Sequence, residues 1–249
     1  MRTKWVVLFI AVFALVATSG AMAALPTNTA SGITVGGVNA VAVLQTATGS
    51  DSLNSAYSWV GGHYNLAVFD QYADGGGNNF AEAVQLGIAY LALVDQDAFG
   101  GGTNVSDTTQ AGLGNIALTQ QLARRNGNNV SAMIQMGSFN LALTEQNAFR
   151  GGSNVSGVIQ VGALNRAYTD QDAARGGSNV SGIAQFGVLN TANTYQDAAA
   201  FGSNSSGVIQ AGFDNWALTM QNAYRGGSNV SGMIQLLSLI HISEPTRRH

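Results

Sequence analysis

This chain of 249 residues has no cysteine, 2 prolines and 3 histidines. Without cysteine there are no disulfides and no thiolate metal sites. Two of the histidines, His241 and His249, lie in the final segment, which leaves His63. One histidine cannot assemble a zinc site or a Ser-His-Asp set, so no catalytic residue, cofactor or metal ligand is expected and the chain does not read as an enzyme. Charge is also scarce. Asp, Glu, Lys and Arg make up 9% of the chain, against about 25% in an ordinary soluble domain. With 10 Lys and Arg against 13 Asp and Glu, there is no basic patch for nucleic acid. Ordinary disorder is excluded as well, because 46% of the residues are hydrophobic. The surplus is glycine, at 32 residues.

The two ends stand apart from the rest. Arg2 and Lys4 precede an apolar run from Trp5 to Val16, and small residues follow, ending in Ala21, Met22 and Ala23. That is the plan of a Sec signal peptide over residues 1–23, with cleavage expected after Ala23. The run is short for a bilayer span, and no other stretch is long and apolar enough to cross as a helix. An exported chain without stable membrane insertion is expected. Residues 237–249 read "LSLIHISEPTRRH". This segment resembles the translation of a sequencing-library adapter, and it breaks the chain's pattern where a glycine is due. A non-native tail is expected there, with the natural protein continuing further.

Between the ends lies a repeat. Gln85, Gln110, Gln135, Gln160, Gln185, Gln210 and Gln235 recur every 25 residues, with Val60 in the same place one unit earlier. Each unit follows one rule: Asn, five residues, Gln, four residues, Asn, five residues, Gln. Asn104, Gln110, Asn115 and Gln121 are one instance, and Asn129, Gln135, Asn140 and Gln146 the next. Asn154, Gln160, Asn165 and Gln171 follow, then Asn179, Gln185, Asn190 and Gln196, then Asn204, Gln210, Asn215 and Gln221. Gln85 and Gln96 belong to a unit in which Tyr90 replaces the second asparagine. Residues 24–53 hold a degenerate first unit with Asn28, Gly36, Asn39 and Gln45, and residues 54–235 hold the regular ones, the last truncated.

Within a unit, alternation predicts strand, turn, strand, loop. One predicted face carries Asn154, Ser156, Val158, Gln160, Asn165, Ala167, Thr169 and Gln171. It changes little between units and never carries a charge, whereas the other face varies freely, with Arg166, Leu141, Trp216 and Thr191 at equivalent places. The uncharged face must point inward, because a buried unpaired charge is prohibitively costly. Buried amides need partners. Stacking identical units about 4.8 Å apart places each amide over its copy, so that each donates one way and accepts the other. The expected fold is an all-β, amyloid-like β-solenoid with a 25-residue period. A helix fails on period, on glycine content and on the clustering of valine and isoleucine.

The spacing, seen in "NVSGVIQVGALNRAYTDQ" and "NSSGVIQAGFDNWALTMQ", resembles the curlin repeat of bacterial curli, the functional amyloid of biofilm matrix. The resemblance runs from about Asn28 to Gln235. The units are slightly longer than is usual for the family and begin with Asn rather than Ser. The family's glycine-rich secretion address is not recognisable in Ala24 to Ser50. The resemblance implies hairpin-like layers and a secreted fibre subunit that polymerises with itself in biofilm and adhesion. It also implies a nucleator, an outer-membrane secretion channel and a periplasmic chaperone as partners. The alternatives are the minor nucleating subunit, or a monomeric β-solenoid adhesin or ice-binding protein. Outward positions such as Arg166, Leu141 and Trp216 look too irregular for a flat binding face. Asp70, Asp95, Glu145 and Asp170 fall in one outward column as candidate gatekeepers that slow assembly, or as a solvated face. Arg125, Arg150, Arg175 and Arg225 form a loop column that would be solvated, pair with Asp172 and neighbouring acids, or bind acidic polysaccharide.

Overall fold

The structure, a computed structural model, describes residues 13–20 and 26–236. The charged start of the leader, its cleavage site and the tail at 237–249 lie outside the described residues. All regular structure among the described residues is strand. The chain opens with β1 (Phe13–Gly20), β2 (Thr27–Gly36) and β3 (Ala40–Thr48). Regular pairs follow: β4 (Leu53–His63) with β5 (Leu66–Asp74), β6 (Asn78–Ile88) with β7 (Leu91–Phe99), and β8 (Thr103–Leu113) with β9 (Ile116–Arg124). Next come β10 (Asn128–Ser138) with β11 (Leu141–Phe149), β12 (Ser153–Ala163) with β13 (Arg166–Ala174), and β14 (Ser178–Val188) with β15 (Thr191–Ala199). The last are β16 (Ser203–Phe213), β17 (Trp216–Tyr224) and the lone β18 (Ser228–Gln235).

Odd-numbered strands form one nine-stranded sheet, here sheet A, and even-numbered strands form another, sheet B. Neighbouring strands are parallel and in register, so Asn154 pairs with Asn179, Gln160 with Gln185 and Gln171 with Gln196. This is a β-solenoid of about eight turns with the expected period. Each layer is one strand-turn-strand unit, as expected. The two strands of a unit lie in different sheets and face each other through side chains, with their backbone bonds running to the units before and after. Strand β1 lies inside the span read as a leader and pairs with β3. Cleavage after Ala23 would remove it and leave β3 as the edge of sheet A.

The turn between the paired strands explains one glycine column. Gly36, Gly62, Gly87, Gly112, Gly137, Gly162, Gly187 and Gly212 take φ values of 114–143°, a region that side chains rarely adopt. From Gly36 to Gly187, a Cβ would also overlap the carbonyl oxygen of the glycine one layer on. Stacking at the strand spacing therefore forbids any side chain at this point. The loops between layers hold a different strain. Arg125, Arg150, Arg175 and Arg225 sit at φ 52–54°, where the earlier layers carry Gly75 and Gly100.

The interior between the sheets is narrow. Ala67, Ala92, Ala117, Ala142, Ala167, Ala192 and Ala217 are buried, as are Ala73, Ala98, Ala123, Ala148, Ala173, Ala198 and Ala223. Larger side chains are fewer, the longest run being the stacked Met133, Val158, Ile183 and Val208. Phe69 packs in a cluster with Ala56, Ala81 and Ala83, and Met133 in one with Ala117 and Ala142. The buried side chains among the described residues include none that carries a charge. Gly162→Ala should destabilise the fold by about 1–3 kcal/mol from backbone strain alone, with steric overlap adding to it. Gly182→Ala, where a Cβ meets nothing within 4 Å, should be neutral or slightly stabilising. Urea unfolding of the two variants checks the contrast.

Candidate functional site: amide ladders and solenoid rims

Strand alternation turns four amide columns inward, and their members from Asn39 to Gln221 are buried. In the first column, Asn54 Nδ2 donates to Asn28 Oδ1 at 3.0 Å. Asn79, Asn104, Asn129, Asn154, Asn179, Asn204 and Asn229 each donate to the asparagine one layer before, at 2.9–3.0 Å. The second asparagine column, Asn115, Asn140, Asn165, Asn190 and Asn215, points the same way at 2.8–3.1 Å. The glutamines point the other way. Gln85 Nε2 donates forward to Gln110 Oε1, and so on through Gln135, Gln160, Gln185 and Gln210 to Gln235, at 2.7–3.0 Å. Gln45, Gln71, Gln96, Gln121, Gln146, Gln171, Gln196 and Gln221 do likewise at 2.7–2.8 Å.

The backbone sets this polarity. Each glutamine Nε2 also donates to a main-chain carbonyl of the facing strand, as Gln160 does to Leu141 O at 3.0 Å and Gln171 to Val155 O at 3.0 Å. Asn154 Nδ2 donates to Asn147 O at 2.8 Å. One N–H is tied sideways and the other is left for the axial bond, so nitrogen and oxygen cannot exchange. All 22 amides expected to stack lie in these columns. Earlier members were missed as ladder residues in the weak first units, and Asn28, Asn39, Gln45, Asn54, Asn65, Gln71 and Asn79 extend the columns to the start of the solenoid.

Where a column stops, an atom is orphaned. Gln85 Oε1 is buried without a partner, because the residue one layer before it is Val60. Tyr90 interrupts the second asparagine column and sends its hydroxyl to Leu86 O at 2.9 Å instead. At the ends, Gln45 Oε1 and Asn215 Oδ1 are buried and unpartnered. Two further columns lack partners throughout: the hydroxyls of Ser106, Ser131, Ser156, Ser181 and Ser206, and those of Thr119, Thr144, Thr169, Thr194 and Thr219. The amides satisfy one another along the axis, but the shorter hydroxyls cannot reach across a layer.

The outward acids stand where the alternation puts them. Asp70 pairs in register with Asp95, and Glu145 with Asp170. A second acidic column two residues on, missed in the sequence, holds Asp97, Asp172 and Asp197. Its signal was present as the recurring acid or Asn after the second glutamine. Burial, followed by repulsion from Asp172 and Glu145, raises the Asp170 carboxyl to about 6. Burial and then Asp70 raise Asp95; burial, Asp95 and Asp70 raise Asp97. Asp172 accepts from Asn147 Nδ2 at 2.9 Å rather than meeting the arginine column. Arg125 and Arg150 lie over the Phe149 ring, at 5.3 and 4.9 Å from its centre.

No family model matches this sequence, and no curated protein matches it. No group of three or more potential metal ligands occurs among the described residues.

Two predictions follow from the ladders and the acids. Gln135→Leu orphans Gln110 Nε2 and Gln160 Oε1, at about 1–3 kcal/mol for each buried group. Gln85→Leu only moves an existing break by one layer and should cost far less; denaturant unfolding separates the two. For the acids, a carboxyl raised in the folded state binds its proton more tightly there than when unfolded. Its ionisation penalty is complete above about 6 and is relieved as pH falls toward the ordinary carboxyl value of 3.8. Unfolding midpoints should therefore rise between pH 7 and pH 5, and Asp170→Asn should raise the pH 7 midpoint and flatten the rise.

Proposed function

We propose that this chain is the structural subunit of an extracellular, curli-like amyloid fibre, assembled by stacking solenoids end to end. The β-solenoid itself fits a repetitive structural or adhesin-like protein. The finer reading is carried by the two orphaned rim atoms. Once β1, which sets Ala17 beside Gln45, is cleaved away, Gln45 Oε1 stands at the first rim without a donor, and Gln221 Nε2 at the last rim keeps one N–H for a layer beyond. Asn215 Oδ1 lacks the backbone N–H that Asn190 Oδ1 receives from Asn215 at 3.2 Å, and Asn39 N–H is its counterpart on the first rim. One more strand facing β18 would repeat both atoms one layer on, and a second copy could then stack head to tail, its β2 after β18 and its β3 after that added strand, satisfying them and continuing both sheets. Any further repeat would present the same rim one layer on. Open rims of this kind are what soluble solenoids cap.

Export through Sec and an outer-membrane channel, a nucleator and a periplasmic chaperone belong to the same reading. They rest on the leader pattern and on the curlin-like spacing. The outward acids would then keep the free subunit soluble and slow assembly at neutral pH. Purified chain should form thioflavin-positive fibres with a meridional reflection at about 4.8 Å. Gln45→Leu should slow elongation at least severalfold while leaving monomer unfolding nearly unchanged, because it moves the break within the monomer and removes the acceptor at the rim. A chain that stays monomeric and dye-negative at high concentration would refute the reading.

A further inference from the structure

The outer faces of the two sheets are unlike. Sheet A carries the acids Asp70, Asp95, Glu145 and Asp170 and their second column. It also carries the irregular Arg166, Leu141, Thr191 and Trp216. Sheet B is different over its last five strands, β10 to β18. From Asn128 to Leu236 its outward positions hold no charged residue, whereas β6 and β8 carry Glu82 and Asp107 outward in the column that later holds Gly157 and Gly182, so the uncharged strip is confined to β10–β18. These outward positions form largely apolar columns instead, broken at Ser205, Ala184 and Ala211. Val155 and Val180 are exposed in one, Ile159 and Ile209 in another, and Val161 and Phe186 in a third. Between the valine and isoleucine columns runs a shallow furrow of about 380 Å³, floored by Gly157, Gly182 and Gly207 and walled by Ile159 and Ile209.

The fold does not require those glycines. A Cβ at Gly157, Gly182, Gly207 or Gly232 would meet nothing within 4 Å, and none has a positive φ. Glycine inside a strand weakens it and marks places where another surface comes close. Two properties of the face select its occupant. Its ridges repeat at the layer spacing, about 4.8 Å, which only another stack of the same kind matches along its whole length. It is also uncharged, whereas two A faces would oppose like charges. Columns two residues apart are about 7 Å from one another. A two-fold axis along the solenoid can therefore set the isoleucine ridge of each copy over the glycine furrow of the other, with the Val155 and Val161 columns meeting reciprocally.

We propose that fibres of this chain pair laterally, sheet B of one copy against sheet B of another. The inference rests on the fibre reading above and adds to it which face meets which. Area explains why pairing would belong to the fibre and not to the free subunit. The five-layer strip is about 24 Å by about 27 Å, roughly 650 Å² per copy. A stable isolated dimer typically needs about 800 Å² per partner. Along a polymer the strips recur once per copy, separated by the β2–β8 stretch that carries Glu82 and Asp107, and their contributions add with each copy stacked.

The test is mass per unit length of fibres, measured by dark-field scanning transmission electron microscopy of unstained specimens. Wild-type fibres should show twice the value of one solenoid. Gly182→Lys should still polymerise, since the next copy's lysine is about 40 Å away along the axis, far beyond a Debye length of about 8 Å. Its fibres should fall to the single-solenoid value. Asn193→Lys, the same charge on the outer face of sheet A, should leave the doubled value intact. Wild-type fibres of single-solenoid mass, or Gly182→Lys fibres that remain doubled, would overturn the pairing while leaving the fibre reading standing. A wild-type chain that forms no fibre would overturn both.

Discussion

The axial hydrogen bond between identical amides governs this molecule. A buried asparagine or glutamine is tolerable only when its oxygen and both of its N–H groups are engaged. Here one N–H goes to the facing strand and the other to the same residue one layer away, as at Gln146, which donates to Val130 O and to Gln171 Oε1. That arrangement fixes the register residue by residue, because a slip of one would turn the amides of a strand outward and leave their partners unpaired. It also fixes the turn. Layers must approach to strand spacing at Gly162 and its equivalents, and only glycine leaves room for the carbonyl of the next layer.

The apolar core is slight beside this network. Alanine fills most inward apolar positions, and serine and threonine occupy two whole columns with hydroxyls that find no partner. Such groups oppose folding. Stabilisation therefore comes chiefly from repetition, with each layer closed by the next, and the cost of open ends is shared among more layers as the stack lengthens. The breaks at Val60 and Tyr90 fall in the first three layers, while the columns from Asn115 and Gln110 onward run without interruption.

Much of this was legible in the sequence, because alternation and the 25-residue spacing determine which side chains face inward and which residues stack. The inward placement of Asn154, Gln160, Asn165 and Gln171, and the outward placement of Asp70, Asp95, Glu145 and Asp170, followed from periodicity alone. Other features were hidden for physical reasons. The opposed directions of the Asn and Gln columns depend on which backbone carbonyl lies beside each amide. The difference between the two outer faces was obscured because Val155, Gly157 and Ile159 were pooled with Arg166, Tyr168 and Asp170 as one variable exterior. The left-handed Arg150 and Arg175 occupy a conformation that composition reserves for glycine.

The opposed directions of the amide columns have an electrical consequence. An α-helix aligns its peptide dipoles and accumulates a partial charge at each end. In this solenoid, two columns of amide dipoles point one way along the axis and two point the other. Their sum stays near zero however many layers are added, and the terminal potential at the tip does not build up with length. A polymer made this way meets no rising electrostatic resistance to growth, and its two tips differ in hydrogen-bonding pattern without differing in polarity.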